Sequence, residues 1–553
     1  MIRDEIRILV KQALTNAQAA GDIPQFAAPE VTIEHPQRAE HGDFSANLPL
    51  RIQGLAKMKA IEVAEALRNH VPNHTAISEI TVAPPGFLNL YLDPNWVTDQ
   101  IATIIDSGSD YAATQRFAGQ RAQIEYVSAN PTGPVHVGNG RGAAIGSTLA
   151  NVMRSAGYEI AEEYYVNDAG TQVSIFGRTL YARYQQLFGR DVDIPENGYP
   201  GEYMISIAKA VKEDHGDTFL RSENEGADPE FAQIGIGIQI ENIRNDLKLM
   251  GVEYDEWFSE RSLMTENGSY DAIIRLLRDQ NFVAERDGAV WFTSTEVGES
   301  KDNVLIRSDG APTYYATDIA YHYDKFIIRN FDRVIDIWGA DHQGHVSRVK
   351  AGVAAVGGEP NKLDILLYQL VTLKRQGKVV ILSKRAGEII TLRDLIDEVG
   401  ADATRFFFLS PSANQAMDFD LDLATKQSDE NPVYYVQYAH ARIAGIIAKA
   451  REEGKSSDSA NASLLSHEAE QTLIRKLLQL PEVLETVVDD LAPHHLAHYA
   501  QELAQAFHTF YTQCRVINDD ESLTKARLLL LEAARVVLAR TLTLMGISTP
   551  DRM

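Results

Sequence analysis

Cysteine is almost absent from this sequence, and long apolar runs are missing. A single cysteine, Cys514, among 553 residues excludes an intramolecular disulfide and any zinc site built from several thiolates. No apolar stretch approaches the length of a membrane span, and the first residues have the charge pattern of an amphipathic helix and not of a signal peptide. We therefore expect a cytoplasmic protein with no membrane segment.

Dense runs of lysine and arginine are also missing. The chain carries 52 Lys and Arg against 77 Asp and Glu, which gives a formal net charge of −25 at pH 7. This balance argues against a large, unshielded surface for a polyanion, so any contacts with nucleic acid should be few and local. The apolar fraction of 44% is nevertheless sufficient for sizeable cores.

The patterns that are present divide the chain into three parts. Residues 1–112 alternate helical and strand-like segments and predict a small α+β domain. Residues 113–404 begin with a strand, a glycine-rich turn, a helix over 141–156 and a second strand, which is a βαβ unit of a parallel sheet. A helical, acidic insertion at about 185–280 interrupts this sheet, and 405–553 are almost wholly helical in pattern.

The glycine-rich turn reads PTGPVHVGNGRG, residues 131–142. It puts His136 near a helix N-terminus, where free N–H groups and the helix dipole favour phosphate. An imidazole there can donate to a phosphate oxygen that gains charge in a transition state, and Gly138 would let a flat ring lie against the backbone. The turn predicts a nucleotide site; a structural glycine turn with a surface histidine is the alternative.

A second glycine loop carries a lysine. In the stretch VVILSKRAGEIITLRDL a strand runs into Ser383-Lys384, and a helix is expected after Thr391. A lysine on such a loop can move onto a polyphosphate and act there as a point charge. A solvated basic loop is the alternative.

The two stretches together resemble the paired signatures of class I aminoacyl-tRNA synthetases. His136-Val137-Gly138-Asn139 matches His-Ile-Gly-His, and Ile381-Leu382-Ser383-Lys384 matches Lys-Met-Ser-Lys. More closely, the whole chain resembles the arginyl-tRNA synthetase family, whose sequence blocks occur here in that family's order: EYVSANPTGPVHVGNGRG, EYYVNDAGTQ, TYYATDIAYH, GADHQGH and LSKRAGEIITLRDL. The resemblance implies a multidomain α/β fold: an N-terminal α+β domain, a Rossmann-like class I catalytic domain with an insertion, and a helical anticodon-binding domain.

The resemblance also implies the reaction. ATP and L-arginine give arginyl-adenylate and pyrophosphate, and the arginyl group then passes to the 2′-hydroxyl of the terminal adenosine of tRNA(Arg). Mg²⁺ is expected to accompany ATP, bound mainly through the phosphates, with no metal held by the protein itself. We expect a monomer.

Two positions depart from the signatures. Asn139 stands where the second signature histidine is expected, and an asparagine can donate a hydrogen bond but cannot carry a proton's charge. Ile381 stands where the first signature lysine is expected, which removes one phosphate contact. The resemblance implies that another basic residue, Lys378 or Lys374, takes its place.

The resemblance assigns roles to residues of the two signatures and of the blocks around them. Arginine offers a planar cation with five donors, so its pocket needs carboxylates. Asp318 and Glu260 would pair with the guanidinium and Tyr314 would pack against it, while Glu125, Asn130 and His342 would hold the α-amino and carboxyl groups. For each carboxylate a solvated surface position is the alternative. Catalysis is assigned to His136, Asn139 and Lys384, and ATP binding to His136, Gly138, Asn139, Gly339, Asp341, Ser383 and Lys384.

Phe87 and Asn89 match an aromatic and an asparagine with which the family contacts the tRNA elbow. Phe87 would stack on an exposed adenine and Asn89 would hydrogen-bond its edge. Packing of Phe87 in the core of the domain is the alternative.

Two other functions stay open at this stage. A different class I synthetase or a small nucleotidyltransferase would share the fold. A non-catalytic tRNA-binding paralogue with eroded signatures would explain Asn139 and Ile381.

Overall fold

The N-terminal part folds around an antiparallel sheet. The computed structural model describes residues 1–36, 38–221, 229–380 and 390–553. The elements of this part are α1 (Ile2–Ala20), β1 (Ile33–Glu34), β2 (Phe44–Ala46), α2 (Leu48–Ala56), α3 (Ala60–His70), β3 (Ile77–Ala83), β4 (Phe87–Leu92) and α4 (Pro94–Ser107). The strands lie in the order β1-β2-β4-β3. Leu88 and Leu90 of β4 are buried in the core, whereas Phe87 and Asn89 point to the opposite face because side chains alternate along a strand.

The catalytic part is built on a parallel sheet, as the sequence predicts. Its first elements are β5 (Arg121–Tyr126), α5 (Val137–Ser155), β6 (Glu159–Val166), α6 (Gly170–Gln186), α7 (Glu202–His215), α8 (Pro229–Lys248), β7 (Glu256–Ser259), α9 (Glu260–Leu263) and α10 (Ser269–Asp279). The strand β7 lies inside the expected insertion, yet it pairs with β6 and extends the sheet. A strand of four residues is too short to show a recognisable period, which is why the sequence pattern missed it.

The remaining elements of this part close the sheet and form two smaller ones. They are β8 (Val283–Arg286), β9 (Ala289–Phe292), β10 (Asn303–Ile306), α11 (Tyr314–Tyr323), which continues as a π-helical turn (Asp324–Ile328), then β11 (Arg333–Gly339), α12 (Val346–Ala355), β12 (Leu363–Tyr368), β13 (Val371–Arg375), β14 (Lys378–Val379), α13 (Leu392–Val399) and α14 (Ala401–Leu409). The central sheet has the order β12-β11-β5-β6-β7, and β10, β9 and β8 form a separate antiparallel sheet.

The C-terminal part is helical apart from one strand. Its elements are β15 (Met417–Asp420), α15 (Leu421–Ala424), α16 (Pro432–Glu452), α17 (Glu468–Leu477), α18 (Leu480–Asp490), α19 (His494–Gln513) and α20 (Glu521–Leu544). The strand β15 pairs in parallel with β13, and apart from it the stretch is helical, as the sequence predicts. Within the described ranges, no helix is both long and apolar enough to cross a membrane.

Helix α5 begins four residues earlier than its apolar pattern predicts. It starts at Val137 because the His136 side chain caps it, accepting a hydrogen bond from the Gly138 N–H at 3.0 Å. Glycines then let the helix lie close to its neighbours: a Cβ at Gly146 would lie only 2.2 Å from the Tyr126 ring of β5. The glycine-rich stretch is therefore largely the first half of a closely packed helix.

Arg405 joins the catalytic part to the end of the C-terminal part. Its side chain is 1% exposed and donates hydrogen bonds to the Met545 carbonyl at 2.6 Å, the Met250 carbonyl at 2.8 Å and Ser147 Oγ at 2.8 Å. These three groups belong to the end of α20, the loop after α8, and α5. A buried guanidinium thus ties the helix that begins at His136 to the last helix of the chain.

Replacement of Arg405 by methionine should destabilise the protein markedly. Met keeps most of the apolar volume but leaves buried acceptors unpaired, which costs about 1–3 kcal/mol per group. We expect the first thermal unfolding transition, followed by calorimetry, to fall by at least about 5 °C. The matched control is Arg275→Met on the exposed face of α10, which should shift the transition little. An Arg405→Met transition within 1 °C (about the measurement error) of the control would contradict this role.

Candidate active site

The candidate site lies where the order of the parallel strands reverses. From β5 the chain proceeds outward to β6 and β7 on one side, and later to β11 and β12 on the other. At such a point the connections that leave two neighbouring strands diverge and open a crevice at their carboxyl ends. His136 follows β5 and Asp341 follows β11, so these two of the expected ATP residues lie at this crevice.

The two signature segments lie against each other. The N–H of Leu392 donates to the Val135 carbonyl at 2.7 Å, and Thr391 forms a bridge with His136. Thr391 also begins α13 with a reciprocal capping interaction with Asp394. The chain that follows the second signature is thereby fixed beside the first. Ser383, Lys384 and Ile381 themselves lie outside the described residues.

The protonation of His136 follows from its cap. Its Nδ1 accepts from the Gly138 N–H, so the ring proton of the neutral imidazole is assigned to Nε2. Partial desolvation lowers the pKa of His136, although the residue remains exposed to solvent. The Asp341 carboxylate acts in the opposite direction. His136 is therefore a neutral imidazole near pH 7 with Nε2–H available to donate into the crevice.

Gly138 and Asn139 have nearer partners than the sequence suggests. A Cβ at Gly138 would lie 2.8 Å from His136 Cε1, so this glycine makes room for the imidazole that caps the helix. The Asn139 side chain lies near Tyr368, the last residue of β12, and opposes the rise that burial causes in the pKa of this tyrosine. Asparagine at this position thus lies at the end of the central sheet.

Three of the expected arginine residues form a cluster of carboxyl groups. Burial raises the pKa of Asp318 to about 7; His322 opposes this shift, and Glu125, Glu260 and Asp336 add to it. Burial likewise raises the pKa of Glu260, and its Oε2 has no hydrogen-bond partner among the described residues. Among the described residues, no lysine or arginine forms an ion pair with Glu260 or Asp318. When ionised, these two carboxylates therefore lack a lysine or arginine partner.

Two cations, the buried Lys325 and the half-buried Arg329, lie beside this cluster. Asp336 of β11, Glu125 of β5 and Glu163 of β6 are direct neighbours in the strand register and form one acidic row across the sheet. Lys325 bridges Glu125 and Asp336, and Arg329 pairs with Glu163. Sequence reasoning did not identify this network. The available signal was a set of acidic residues inside apolar strands, which are rarely buried without partners.

The other expected arginine residues are less enclosed. Tyr314 is 58% exposed and lies one helical turn before Asp318 on α11, so its ring is free beside the cluster. Asn130 Oδ1 accepts from Asn167 Nδ2 at 3.1 Å. His342 lies in the exposed turn after β11, with Nε2 3.5 Å from Asp341 Oδ2, which groups it with the ATP residues. A Cβ at Gly339 would lie 2.5 Å from Asp341 Oδ1, so glycine permits this turn.

The two candidate replacements for the missing lysine differ in their surroundings. Lys374 Nζ donates to Asp418 Oδ2 at 2.6 Å and is therefore engaged between β13 and β15. Lys378 is exposed on β14, three residues before the second signature begins. Of the two, Lys378 is the available cation.

The expected tRNA residues share one face of the N-terminal sheet. Phe87 is half-buried on the face opposite to Leu88 and Leu90. Asn89 is 3% exposed, and its Oδ1 accepts from Ser45 Oγ at 2.9 Å. The hydrogen bond fixes the orientation of the Asn89 amide beside the aromatic ring.

Three family models match consecutive parts of the chain. The arginyl tRNA synthetase N-terminal domain matches residues 4–92, the catalytic domain of class I tRNA synthetases (R) matches 100–408, and the DALR anticodon binding domain matches 436–553. Together they follow the order that the sequence blocks predict.

Similar proteins agree over nearly the full length. An arginine–tRNA ligase of Dehalococcoides mccartyi is 51% identical over 544 residues, 98% of each chain, and one of Carboxydothermus hydrogenoformans is 45% identical over 94% of each. A Campylobacter jejuni structure assigned as an arginyl-tRNA synthetase is 34% identical, covers 84% of this chain and 100% of its own, and superposes with a TM-score of 0.77. The Thermus thermophilus arginyl-tRNA synthetase shares the fold at 20% identity, full coverage of both chains and a TM-score of 0.79. The chain therefore belongs to the arginyl-tRNA synthetase family and is a class I arginine–tRNA ligase.

Proposed function

We propose that Glu260 and Asp318 bind the guanidinium of arginine and that Glu125 binds its α-ammonium group. The observation that carries this proposal is that Glu260 and Asp318, which lie near each other, have no lysine or arginine partner among the described residues. Two carboxylates without such partners, one buried and one half-buried, are unfavourable when ionised in the empty protein and become favourable when a cation enters. Tyr314, free on the same face of α11, covers the guanidinium plane, and Asn130 and His342 hold the amino acid's polar end.

We propose that the first signature binds the ATP phosphates. His136 donates Nε2–H to an oxygen of the α-phosphate, while Gly138, Asn139, Gly339 and Asp341 line the nucleotide. The carboxylate oxygen of arginine attacks the α-phosphorus, the bond to the bridging oxygen breaks, and pyrophosphate leaves. The imidazole proton stabilises the charge that develops on the phosphate oxygens.

We propose that cations supplement His136 at the leaving pyrophosphate. Ser383 and Lys384 contact the phosphates from the second signature, and Lys378 supplies the cation that Ile381 lacks. Mg²⁺, bound mainly by the ATP phosphates, supplies further positive charge when present. Asp341 fits this arrangement as an exposed carboxylate near His136.

We propose that the outer domains hold tRNA(Arg) and that the chain acts as a cytoplasmic monomer. Residues 1–112 contact the elbow, 113–404 carry the chemistry, and 405–553 bind the anticodon. Phe87 stacks on a base and Asn89, oriented by Ser45, hydrogen-bonds the base edge. The arginyl group then passes from the adenylate to the 2′-hydroxyl of the terminal adenosine.

Arginine-dependent ATP–pyrophosphate exchange, run with and without tRNA(Arg), tests this function. Exchange with arginine above all other amino acids supports it. Exchange that another amino acid drives better would contradict the arginine site. Binding of tRNA without exchange under either condition would identify a non-catalytic paralogue with eroded signatures.

Asp318→Asn should relax the selection of arginine over its neutral analogue citrulline. The change keeps the shape of the side chain and removes a charge-assisted hydrogen bond, typically about 1.5–3 kcal/mol. We expect the kcat/KM ratio of arginine over citrulline to fall by about 10- to 100-fold, with little change in the KM for ATP. An unchanged ratio would show that Asp318 does not bind the guanidinium.

The kcat/KM for arginine should fall on the acid side of neutrality. Asp318 titrates with a pKa of about 7 in the empty site, and below that pH it is protonated and neutral. Because kcat/KM reports the free enzyme, it should decline about tenfold per pH unit below this value. In Asp318→Asn the decline should be absent or displaced to lower pH. An identical profile in both proteins would assign the titration to another group.

Replacement of His136 by alanine and by asparagine separates its two functions. Alanine removes the helix cap and the imidazole, whereas asparagine is a good cap that lacks Nε2–H. If the imidazole stabilises the transition state, both variants should lose about 100-fold or more in the exchange rate, at near-normal arginine affinity. Recovery of activity in His136→Asn would show that only the cap matters.

A further inference from the structure

Three carboxylates occupy one buried row of the central sheet. Asp336, Glu125 and Glu163 lie on adjacent strands in direct register, with exposures of 0%, 6% and 0%. Like charges directly opposite each other destabilise a sheet, and buried charges need partners that satisfy their hydrogen bonds. The row therefore depends on the cations that meet it.

Lys325 supplies the cation for the half of the row nearest the crevice. It is 0% exposed, and its Nζ donates to Glu125 Oε2 at 2.7 Å and to Asp336 Oδ1 at 2.8 Å. The Nζ atom also lies 4.1 Å from the centroid of the Tyr321 ring. One buried ammonium group thus holds two strands together through their carboxylates.

The position of Lys325 links this pair to the helix that carries Asp318. Lys325 lies in the π-helical turn that continues α11, and such turns occur frequently at functional sites. The other oxygen of Asp336 meets His322 Nε2 at 2.8 Å, and His322 Nδ1 meets the Asp318 carbonyl at 2.8 Å. Lys325 is therefore connected, through Asp336 and His322, to the backbone of Asp318.

The second oxygen of Glu125 is also fixed. Glu125 Oε1 accepts from Ser128 Oγ at 2.9 Å, so each oxygen of this carboxyl has a hydrogen-bond partner. Burial raises the pKa of Glu125, and Lys325 acts in the opposite direction. With Lys325 against Glu125 and Asp336, the three groups carry a net charge of −1 when both carboxyls are ionised. Glu260 and Asp318 add negative charge to the extent that they ionise, and arginine offers two cationic groups.

We propose that Lys325 is a positioning residue of the arginine site, which orients Glu125, opposes its protonation and leaves proton uptake to Asp318 and Glu260. This inference rests on the proposed roles of Glu125 and Asp318. Without the ammonium group, the carboxylates facing one another would share protons, since several cannot remain ionised together in a buried site. The titratable and charged groups that face Lys325 or the carboxylates around it are Glu125, Glu163, Asp336, Tyr321, His322, Asp318, Glu260, Asp324, Arg329, Tyr165 and Tyr254.

Lys325→Met tests the proposal through the pH profile. The variant keeps the apolar stem and removes the charge, so the acid decline of kcat/KM for arginine should move to higher pH by about one unit or more. The arginine KM at pH 7 should rise about tenfold or more, while the KM for ATP should stay within about twofold. An unmoved acid decline, with an unchanged arginine KM, would overturn the proposal.

Arg405→Met is the matched control, because it also removes a fully buried cation but one that meets only carbonyl and hydroxyl groups. It should lower the unfolding temperature without moving the acid decline. A shift of the decline in this control as large as in Lys325→Met would assign the effect to general destabilisation and overturn the positioning role.

Two further variants keep the test decisive if Lys325→Met does not fold. Lys325→Met with Asp336→Asn removes one charge of each sign and should fold better, yet Glu125 still lacks its cation, so the acid decline should still lie at higher pH. Lys325→Arg keeps the charge and should leave the decline in place. The opposite result in either variant would overturn the proposal.

Different results would contradict the proposed function and the role of Lys325. An unchanged arginine-to-citrulline ratio in Asp318→Asn would contradict the proposed function itself. A reduced ratio in Asp318→Asn, together with an unmoved acid decline in the folded lysine variants, would leave that function intact and remove Lys325 from it.

Discussion

The buried acidic row across β11, β5 and β6 is the constraint on which the site depends. Carboxylates at the centre of a sheet are unfavourable unless cations and donors meet them, and here Lys325 and Arg329 do so from the turn after α11. The requirement fixes where that turn lies against the sheet. It thereby fixes α11, and with it Asp318 and Tyr314, over the crevice. Glu260 and Asp318 have no such lysine or arginine partner among the described residues, and these are the carboxylates proposed to bind the substrate cation.

A second constraint is the set of contacts that hold helix α5 in place. Its N-terminus is closed by the imidazole of His136, and its body is held against the last helix by Arg405 and by Asn151, whose Nδ2 donates to the Leu544 carbonyl at 3.2 Å. Arg141, near its start, donates to the carbonyls of Gln369, Ser412 and Gln415. The signature histidine is therefore placed by contacts that extend from the catalytic sheet into the C-terminal helices. A displacement of α20 would therefore also displace α5, the helix that begins at His136.

The architecture of the chain could be predicted from local sequence patterns, whereas ion pairs between distant residues could not. The βαβ pattern around His136 predicted a parallel sheet, and the family signatures predicted which side chains meet at its edge. The strands β7 and β15, each of four residues, are set by pairing with distant partners and not by a period of their own. Lys325 was missed for a similar reason. A lysine that follows an aspartate, as Lys325 follows Asp324, is typical of a surface position, and only the folded chain brings the acidic strands against it. The sequence predicted that Gly138 makes room for a flat ligand ring, whereas in the fold the imidazole of His136 lies there, and a Cβ at Gly138 would be 2.8 Å from its Cε1.

The raised pKa of Asp318 determines how this residue changes the stability of the empty protein with pH. In the unfolded chain this carboxyl ionises near its ordinary value, whereas in the empty folded site burial raises its pKa to about 7. Between these two values the folded state binds more protons than the unfolded state, so this residue's contribution to stability falls as pH rises through that window and is fully lost above pH 7. A bound guanidinium reverses the balance, because a cation beside the carboxylate favours the ionised form. In the proposed role of Asp318, ionisation of this carboxyl is unfavourable in the empty site, and a bound ligand recovers that free energy only when the ligand carries a positive charge. A neutral analogue of the same shape gains nothing from this relief, so the proposed role makes the electrostatic cost of the empty site the source of selectivity.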